Sequence, residues 1–482
     1  ELLHGIDATE QTPPPMERSA IGGEASPTMR GVGQSATEDD SIRIAVLPFD
    51  DLSPDHDNQW FADGMMDELI STLGSLDRVK VPSRSDVLHY RDHRKKSREV
   101  ANEMGVRYLI EGGVRKAGEK IRINASLTDT LRGEQLWINK FDGSFDDVFA
   151  FQESVSKQIT QALKLKLTPE EKEKIAEPPT RNAEAYELYL KGKQQQYLVT
   201  REGYENALAL YEQAAQLDPE FADAYIAIAS VCNVYFREYS RDPKWLRKSE
   251  LNVEHAEAIT GETAKTLWIR GEIEWLRGNN SNAERMLLRS IALDADFKNS
   301  LSSLGTLYLN GSNYREAAKF FLRALEIQEE TILYFNLLLA LDALDESDLL
   351  KETAARAILT FDRYLFRTTE NHNATLHYAF VQFWAGNFTK ASNLASKLLE
   401  SDSLSGQSLY NLGCLYDCLG KPEVSILLFE RALECGYREI EQTRNYVFTT
   451  KNEECEQAFR KIVARLEAII EEESKQTEKG LT

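Results

Sequence analysis

Residues 301–324, LSSLGTLYLNGSNYREAAKFFLRA, place Gly305, Ala317, Phe321 and Ala324 at fixed offsets. A glycine sits where one helix must approach the next. A small residue follows twelve positions on, a bulky one four beyond that, and another small one three further. Two helices of a hairpin satisfy this pattern if the small residues let them approach closely. The same offsets recur at Gly271, Ala283, Leu287 and Ser290, with 34 positions from Gly271 to Gly305. They recur again at Gly413, Ser425, Phe429 and Ala432, and more loosely at Ala379, Ala391, Ala395 and Leu398.

A single hairpin of this kind cannot bury its own apolar face, so a period near 34 implies a stack. Reading upstream, Ala207, Tyr211, Ala214 and Pro219 keep the second half of a first repeat, with Pro219 ending its second helix. Its first helix, around 186–192, lies about three residues too far upstream, which predicts a longer hairpin loop. The second repeat, 222–258, is expanded, with Asp242-Pro243 starting its second helix. A degenerate unit at 331–364 fills the gap before Ala379. Residues 454–474 read as a charged amphipathic helix capping an otherwise open stack. These spacings resemble the tetratricopeptide repeat family from about residue 183 to 470. The resemblance implies a curved inner groove lined by the first helix of each hairpin.

Positions one turn apart on those first helices are the candidate contacts. In the third repeat they are Lys265, Trp268, Glu272 and Trp275, and in the fourth Asn299, Ser302, Thr306 and Leu309. In the last two they include Leu376, Phe383, Tyr410 and Asp417. Trp268 and Trp275 lead, because aromatic residues dominate interface energetics. The competing reading is that both pack between neighbouring helices. The Lys/Asn pattern by which some tetratricopeptide proteins clamp a C-terminal carboxylate is absent, so a chaperone tail is not the expected ligand.

Ahead of the repeats, residues 42–49 (IRIAVLPF) form an apolar run of buried-strand type. Apolar residues at helical spacing follow: Phe61, Met65, Leu69, Ile70 and Leu73. A strand is expected at 79–82 and a short helix at 98–104, stopped by Gly105. Three more strands fall at 106–114, 120–128 and 135–141, joined by turns at 117–118 and 131–133. A helix over 148–167 closes a βαβαβββα unit. The fold class is therefore α/β, with a mixed sheet, followed by an all-α tetratricopeptide-repeat superhelix. The motifs IAVLPFDDLSPD (44–55), WFADGMMDELISTL (60–73) and YLIEGGVRKAGEKIRINASLTDTLRGEQLW (108–137), then a helix carrying Phe151-Gln152, resemble the TolB amino-terminal-like (FlgO-like) domain. That resemblance implies a regulatory or assembly module of bacterial signalling proteins. In such proteins it often follows a class III nucleotide cyclase, a protein kinase or a winged-helix domain.

The expected organisation is a disordered linker at 1–40, rich in Pro, Gly and Ser, and the α/β domain at 41–168. A linker follows at 169–182, then the solenoid at 183–474 and a disordered tail at 475–482. Because the first residue is Glu1, the chain is read as a fragment or processed product.

Fifty-seven Lys and Arg against 78 Asp and Glu leave a net charge of −21, a field that repels phosphate backbones and anionic lipid. Nucleic acid and membrane contact by this segment are not expected. No apolar run reaches bilayer length. Five cysteines without regular spacing suit reduced thiols and a cytoplasmic setting, or a periplasmic one if a membrane anchor lies upstream.

Catalytic signatures are missing: neither GxxxxGK[ST] nor GxGxxG occurs. Gly112-Gly113, after Glu111, reads as a bulge or bend. Asp50, Asp51 and Asp55 read as turn caps rather than cation ligands. Cys414 and Cys418 read as core thiols, and His89 and His93 as a solvated pair. The basic run Arg91, Arg94, Lys95, Lys96 and Arg98 reads as a solvated face. No cofactor or metal is expected, and the residues present are expected not to be an enzyme. The leading function is a scaffold that recruits a protein or peptide to the concave groove, with homo-oligomerisation left open. One alternative is the regulatory part of a cyclase or kinase whose catalytic domain lies upstream. Another is a small-ligand sensor with a cleft near 50–63.

Overall fold

The computed structural model describes residues 42–480, apart from 56, 77, 89, 92–94, 119, 166, 169–177, 366–370, 402–403, 441–442 and 444–452. The linker expected at 1–40 and most of that expected at 169–182 lie outside the described residues. The described chain divides into two compact units, one running to Glu346 and taking in Asp362 and its neighbours, the other holding residues 347–361 and those after 370.

The α/β domain has a mixed sheet. Its strands are β1 (Ile42–Val46), β2 (Asp50–Asp51), β3 (Val79–Lys80), β4 (Tyr108–Ala117), β5 (Lys120–Asp129) and β6 (Glu134–Ser144), and the order across the sheet is β3-β1-β4-β5-β6. β1 pairs in parallel with both β3 and β4. A central strand covered on both faces must be apolar throughout, and Ile44, Ala45 and Val46 are fully buried. β4, β5 and β6 run antiparallel, and β5 alternates in burial as a half-covered strand does.

Helices α1 (Gln59–Gly74), α2 (Arg84–Leu88), α3 (Ser97–Met104) and α4 (Val148–Ala162) complete the domain. The order expected from sequence holds, with short β2 and α2 added. Gly112 and Gly113 form no bulge: they pair in register with Ala125 and Asn124. Their lack of a side chain has another cause. A Cβ on Gly112 would stand 2.6 Å from the Phe49 ring, and one on Gly113 2.9 Å from Leu52. The one irregularity between β5 and β6 falls at Leu127/Thr128.

The repeats follow as helix pairs: α5 (Ala183–Gln196) and α6 (Arg201–Leu217), α7 (Ala222–Glu238) and α8 (Lys244–Thr260), α9 (Ala264–Leu276) and α10 (Asn280–Leu293), α11 (Lys298–Asn310) and α12 (Tyr314–Ile327). Then come α13 (Thr331–Ala343), α14 (Ser347–Leu365), α15 (His372–Trp384), α16 (Phe388–Leu399), α17 (Gly406–Cys418), α18 (Pro422–Glu434) and α19 (Glu453–Gly480). Among the described residues no strand follows 178. α19 runs past residue 474 to Gly480, and its Phe459 sits edge-on to Phe429 of α18 at 5.3 Å.

The small residues lie where helices cross. A Cβ on Gly271, Gly305 or Gly413 would come within 2.8 Å of Leu287, Phe321 or Phe429 respectively. Ala283, Ala317 and Ala324 are fully buried. In the first repeat Gly192 faces Tyr211 in the same way. The loop there, 197–200, is one residue longer than 277–279 of the third repeat, but most of the insertion lies elsewhere. It extends the start of α6, which has 17 residues against 14 in α10.

Candidate functional site

On α9 and α11 the expected contact residues form a polar chain. The Trp268 indole donates to Ser303 Oγ at 3.0 Å, and Ser303 Oγ donates to Glu272 Oε1 at 3.0 Å. The Trp268 ring also meets Phe297 edge-on, 6.0 Å away. This indole therefore ties two neighbouring first helices together, as the packing reading of the sequence held. Lys265 is exposed and paired with Asp223 at 2.7 Å. Trp275, Asn299, Ser302, Thr306 and Leu309 are half-buried, with the Thr306 hydroxyl bonded back to the Ser302 carbonyl. Ser303 escaped the sequence reading because the register selects its neighbour Ser302.

Four residues expected on the open face are not there. Leu376, Phe383, Tyr410 and Asp417 are buried. Tyr410 stacks on Tyr437 with ring centres 4.4 Å apart and leans on Phe429. Phe383 meets Phe388 edge-on. In this unit the aromatic side chains fill space inside the stack.

A second feature lies where α1 meets α5. A cleft of about 450 Å³ is lined by Asp55, Asp57, Trp60, Lys116, Glu187 and Lys191, among others. Lys116, near the end of β4, and Lys191 both donate to Glu187 at 2.7 Å. Both ammonium groups sit over the Trp60 ring, at 4.9 and 5.0 Å, a favourable place for a cation. Burial alone would raise the Glu187 carboxyl, but the two lysines outweigh it and hold its pKa below the ordinary value. Asp51 does not itself line the cleft and caps the turn as expected, accepting from the backbone of Ser53 and Asn58.

Beside the cleft is a cluster of buried charges. Arg84 reaches Asp63 and Asp67, each at 2.8 Å, and Arg91 also pairs with Asp63. From α5, Lys193 lies 3.5 Å from Asp67, the Tyr197 hydroxyl donates to Asp67 at 3.1 Å, and the Arg84 guanidinium covers the Tyr197 ring. Burial opposes charge on Arg84, yet its two carboxylates raise its pKa above the usual value. Arg91 is therefore not part of a solvated face. Lys95 pairs with Glu103 at 2.7 Å, and Arg94, His89 and His93 lie outside the described residues. The sequence reading missed this cluster, for which Asp63 and Asp67, four apart on α1, are the available signal. Their partners Arg84 and Lys193 carry no local mark.

Among the described residues no group of His, Cys, Asp and Glu could hold a metal ion. Cys414 is a thiol whose pKa burial pushes up. No helix among the described residues is long and apolar enough to cross a membrane.

Two stretches, residues 299–332 and 406–434, match the tetratricopeptide repeat family. Among solved structures the chain is similar to a tetratricopeptide repeat protein of Parabacteroides merdae, at 14% identity over 59% of this chain and 100% of that one, with a TM-score of 0.34. It is similar to PilF of Pseudomonas aeruginosa, at 15% identity over 46% and 95% of the two chains, with a TM-score of 0.31. These likenesses concern the fold alone.

A putative adenylate cyclase of Rhizobium meliloti is 34% identical over 188 residues, 39% of this chain and 32% of that protein. The chain thus spans about a third of the length of this relative. This match overturns the expectation that the residues present are not an enzyme: the similar stretch is in this chain itself. An α/β domain followed by a stack of tetratricopeptide-type hairpins, suited to protein–protein contact, stands as the architecture.

Proposed function

We propose that the chain works in nucleotide-cyclase signalling, as the portion of an adenylate-cyclase-type polypeptide that couples a protein partner to the cyclisation of ATP. The 188-residue similarity to a putative adenylate cyclase carries this reading. In it the α/β domain is of the TolB amino-terminal-like (FlgO-like) kind, on the strength of the motifs at 44–55, 60–73 and 108–137. The solenoid begins at α5 and receives a protein or peptide on the face formed by α9 and α11, with half-buried Glu272, Trp275, Asn299, Ser302 and Thr306 and exposed Lys265 as its contacts. The purified chain is assayed for cyclic AMP formation from ATP and Mg²⁺, and cellular cyclic AMP is compared with and without its gene. No cyclic AMP from the chain and no change in cells would overturn the proposal.

A second reading is favoured by the cleft at Asp55, Asp57, Trp60, Lys116, Glu187 and Lys191. It lies in the region expected for a small-ligand sensor, and it spans the α/β domain and the first repeat. A ligand there would act on both. A thermal-shift screen with nucleotides, sugars and amino acids tests this, and no shift with any of them counts against it.

A further inference from the structure

The grooves of the first and third repeats can be compared position by position. Aligning Gly192 with Gly271 places Tyr186, Tyr189, Lys193 and Gln196 at the positions of Lys265, Trp268, Glu272 and Trp275. Two of these first-repeat positions already hold a helix. The Tyr186 hydroxyl lies 3.5 Å from Glu68 and accepts from Gln152 of α4 at 2.8 Å, while Lys193 lies 3.5 Å from Asp67. Asp67 and Glu68 belong to α1.

α1 is shaped for this position. Trp60, Gly64, Asp67 and Glu68 fall at i, i+4, i+7 and i+8, one face of a helix. Trp60 meets Lys191, Gly64 meets Leu190, Asp67 meets Lys193 and Tyr197, and Glu68 meets Tyr186. A glycine inside a helix costs helix stability, and here it gives close approach: a Cβ on Gly64 would stand 2.6 Å from Leu190 Cδ1. Further along the repeats, Lys265 of α9 reaches back to Asp223 of α7 at 2.7 Å.

We propose that α1 is an internal ligand of the repeat groove, and that a partner helix presenting the same face, an aromatic residue, a glycine and an acidic pair, competes with the α/β domain for the first repeat. The chain holds its own groove closed at that end, and a partner on α9 and α11 gains the rest by displacing α1. Because the bound conformation must first open, binding to the closed chain is weakened by the small fraction that is open. This inference rests on contacts within one compact unit and on the proposed partner-binding face of α9 and α11, but not on the cyclase reading.

The probe is a fluorescent peptide of residues 59–74, stapled between positions 62 and 66 on the face opposite Gly64. Its control carries Asp67→Lys and Glu68→Lys. Binding to the full chain is read by anisotropy for the wild type, for Gly64→Leu, which forces α1 from α5, and for Lys116→Glu, which sets a like charge against the partly exposed Glu187 and alters no residue of the hydrophobic core. Each variant is checked for native helix content. The expected result is at least tenfold tighter binding by the variants than by the wild type, with at least a tenfold loss for the control peptide. Equal binding by wild type and folded variants, or equal binding of both peptides, overturns the proposal. If Gly64→Leu fails to fold, Lys116→Glu alone decides.

Discussion

Phe321 lies against Gly305 so closely that a Cβ on the glycine would stand 2.7 Å from the ring. Leu287 on Gly271 and Phe429 on Gly413 repeat the contact. Gly305→Ala brings two opposed effects. The helix gains about 1 kcal/mol from the loss of a glycine, and overpacking costs about 1–3 kcal/mol. The clash is with a ring fully enclosed by its neighbours, so the net expected change is a loss of stability in urea unfolding. Adding Phe321→Leu, which copies the Gly271–Leu287 pair, should recover part of it. A stabilised Gly305→Ala single variant would show that the ring has room to move.

This contact explains why the repeats were legible in sequence. A glycine, a bulky residue sixteen positions on and small residues beside them encode a geometric need that recurs in three of the hairpins, at Gly271, Gly305 and Gly413. Ile44 to Val46 were legible for the same kind of reason, as a central strand has no polar face. The open face was less so. One register applied to α15 and α17 selected Phe383 and Tyr410, which are buried because other aromatic rings, Phe388 and Tyr437, close over them. Asp67 and Lys193 are 126 positions apart, and no periodicity links an α/β helix to a repeat helix.

Val199 occupies the left-handed region, with φ of 52°. In other hairpins the residue between the two helices with this conformation is Gly278, Gly386, Gly420, Ser312 or Asp345. A β-branched residue is the least suited to it. Relieving strain of about 1–2 kcal/mol against the entropy of a new glycine, about 0.5–1 kcal/mol, leaves a modest gain for Val199→Gly. Its unfolding midpoint should rise slightly, and a fall would mean that the half-exposed valine packs better than its backbone suggests.

Trp268 and Trp275 should separate two roles. Trp268 is bonded to Ser303 and leans on Phe297, so Trp268→Ala should destabilise the repeats, by about 2 kcal/mol for a half-buried tryptophan, below the range of fully buried ones. Trp275→Ala should leave the midpoint nearly unchanged and reduce capture of a partner in pull-downs. Tyr410→Ala, at a buried stack, should lower stability and leave that capture unaffected in the protein that remains folded. If Trp275→Ala captured as much as the wild type, the α9 face would not be the contact.

Two carboxylates on the α1–α5 contact should respond to pH in opposite senses. Glu187 has a pKa lowered by Lys116 and Lys191 against the cost of burial. Its contribution is present above the ordinary carboxylate value and is lost as pH falls through the lower folded value. Glu68 has a pKa raised, first by burial, with Lys193 opposing. Folding then favours its protonated form, so its contribution is present below the ordinary value of 4.5 and is lost as pH rises through the folded value. Glu68→Gln should therefore stabilise the chain at pH 8 and change little at pH 4. Glu187→Gln should destabilise it at pH 8 and matter less in acid. Urea unfolding of the two variants and the wild type at both pH values checks the signs. A loss of stability for Glu68→Gln at pH 8 would mean that Lys193 and Lys265 outweigh the burial of that carboxylate.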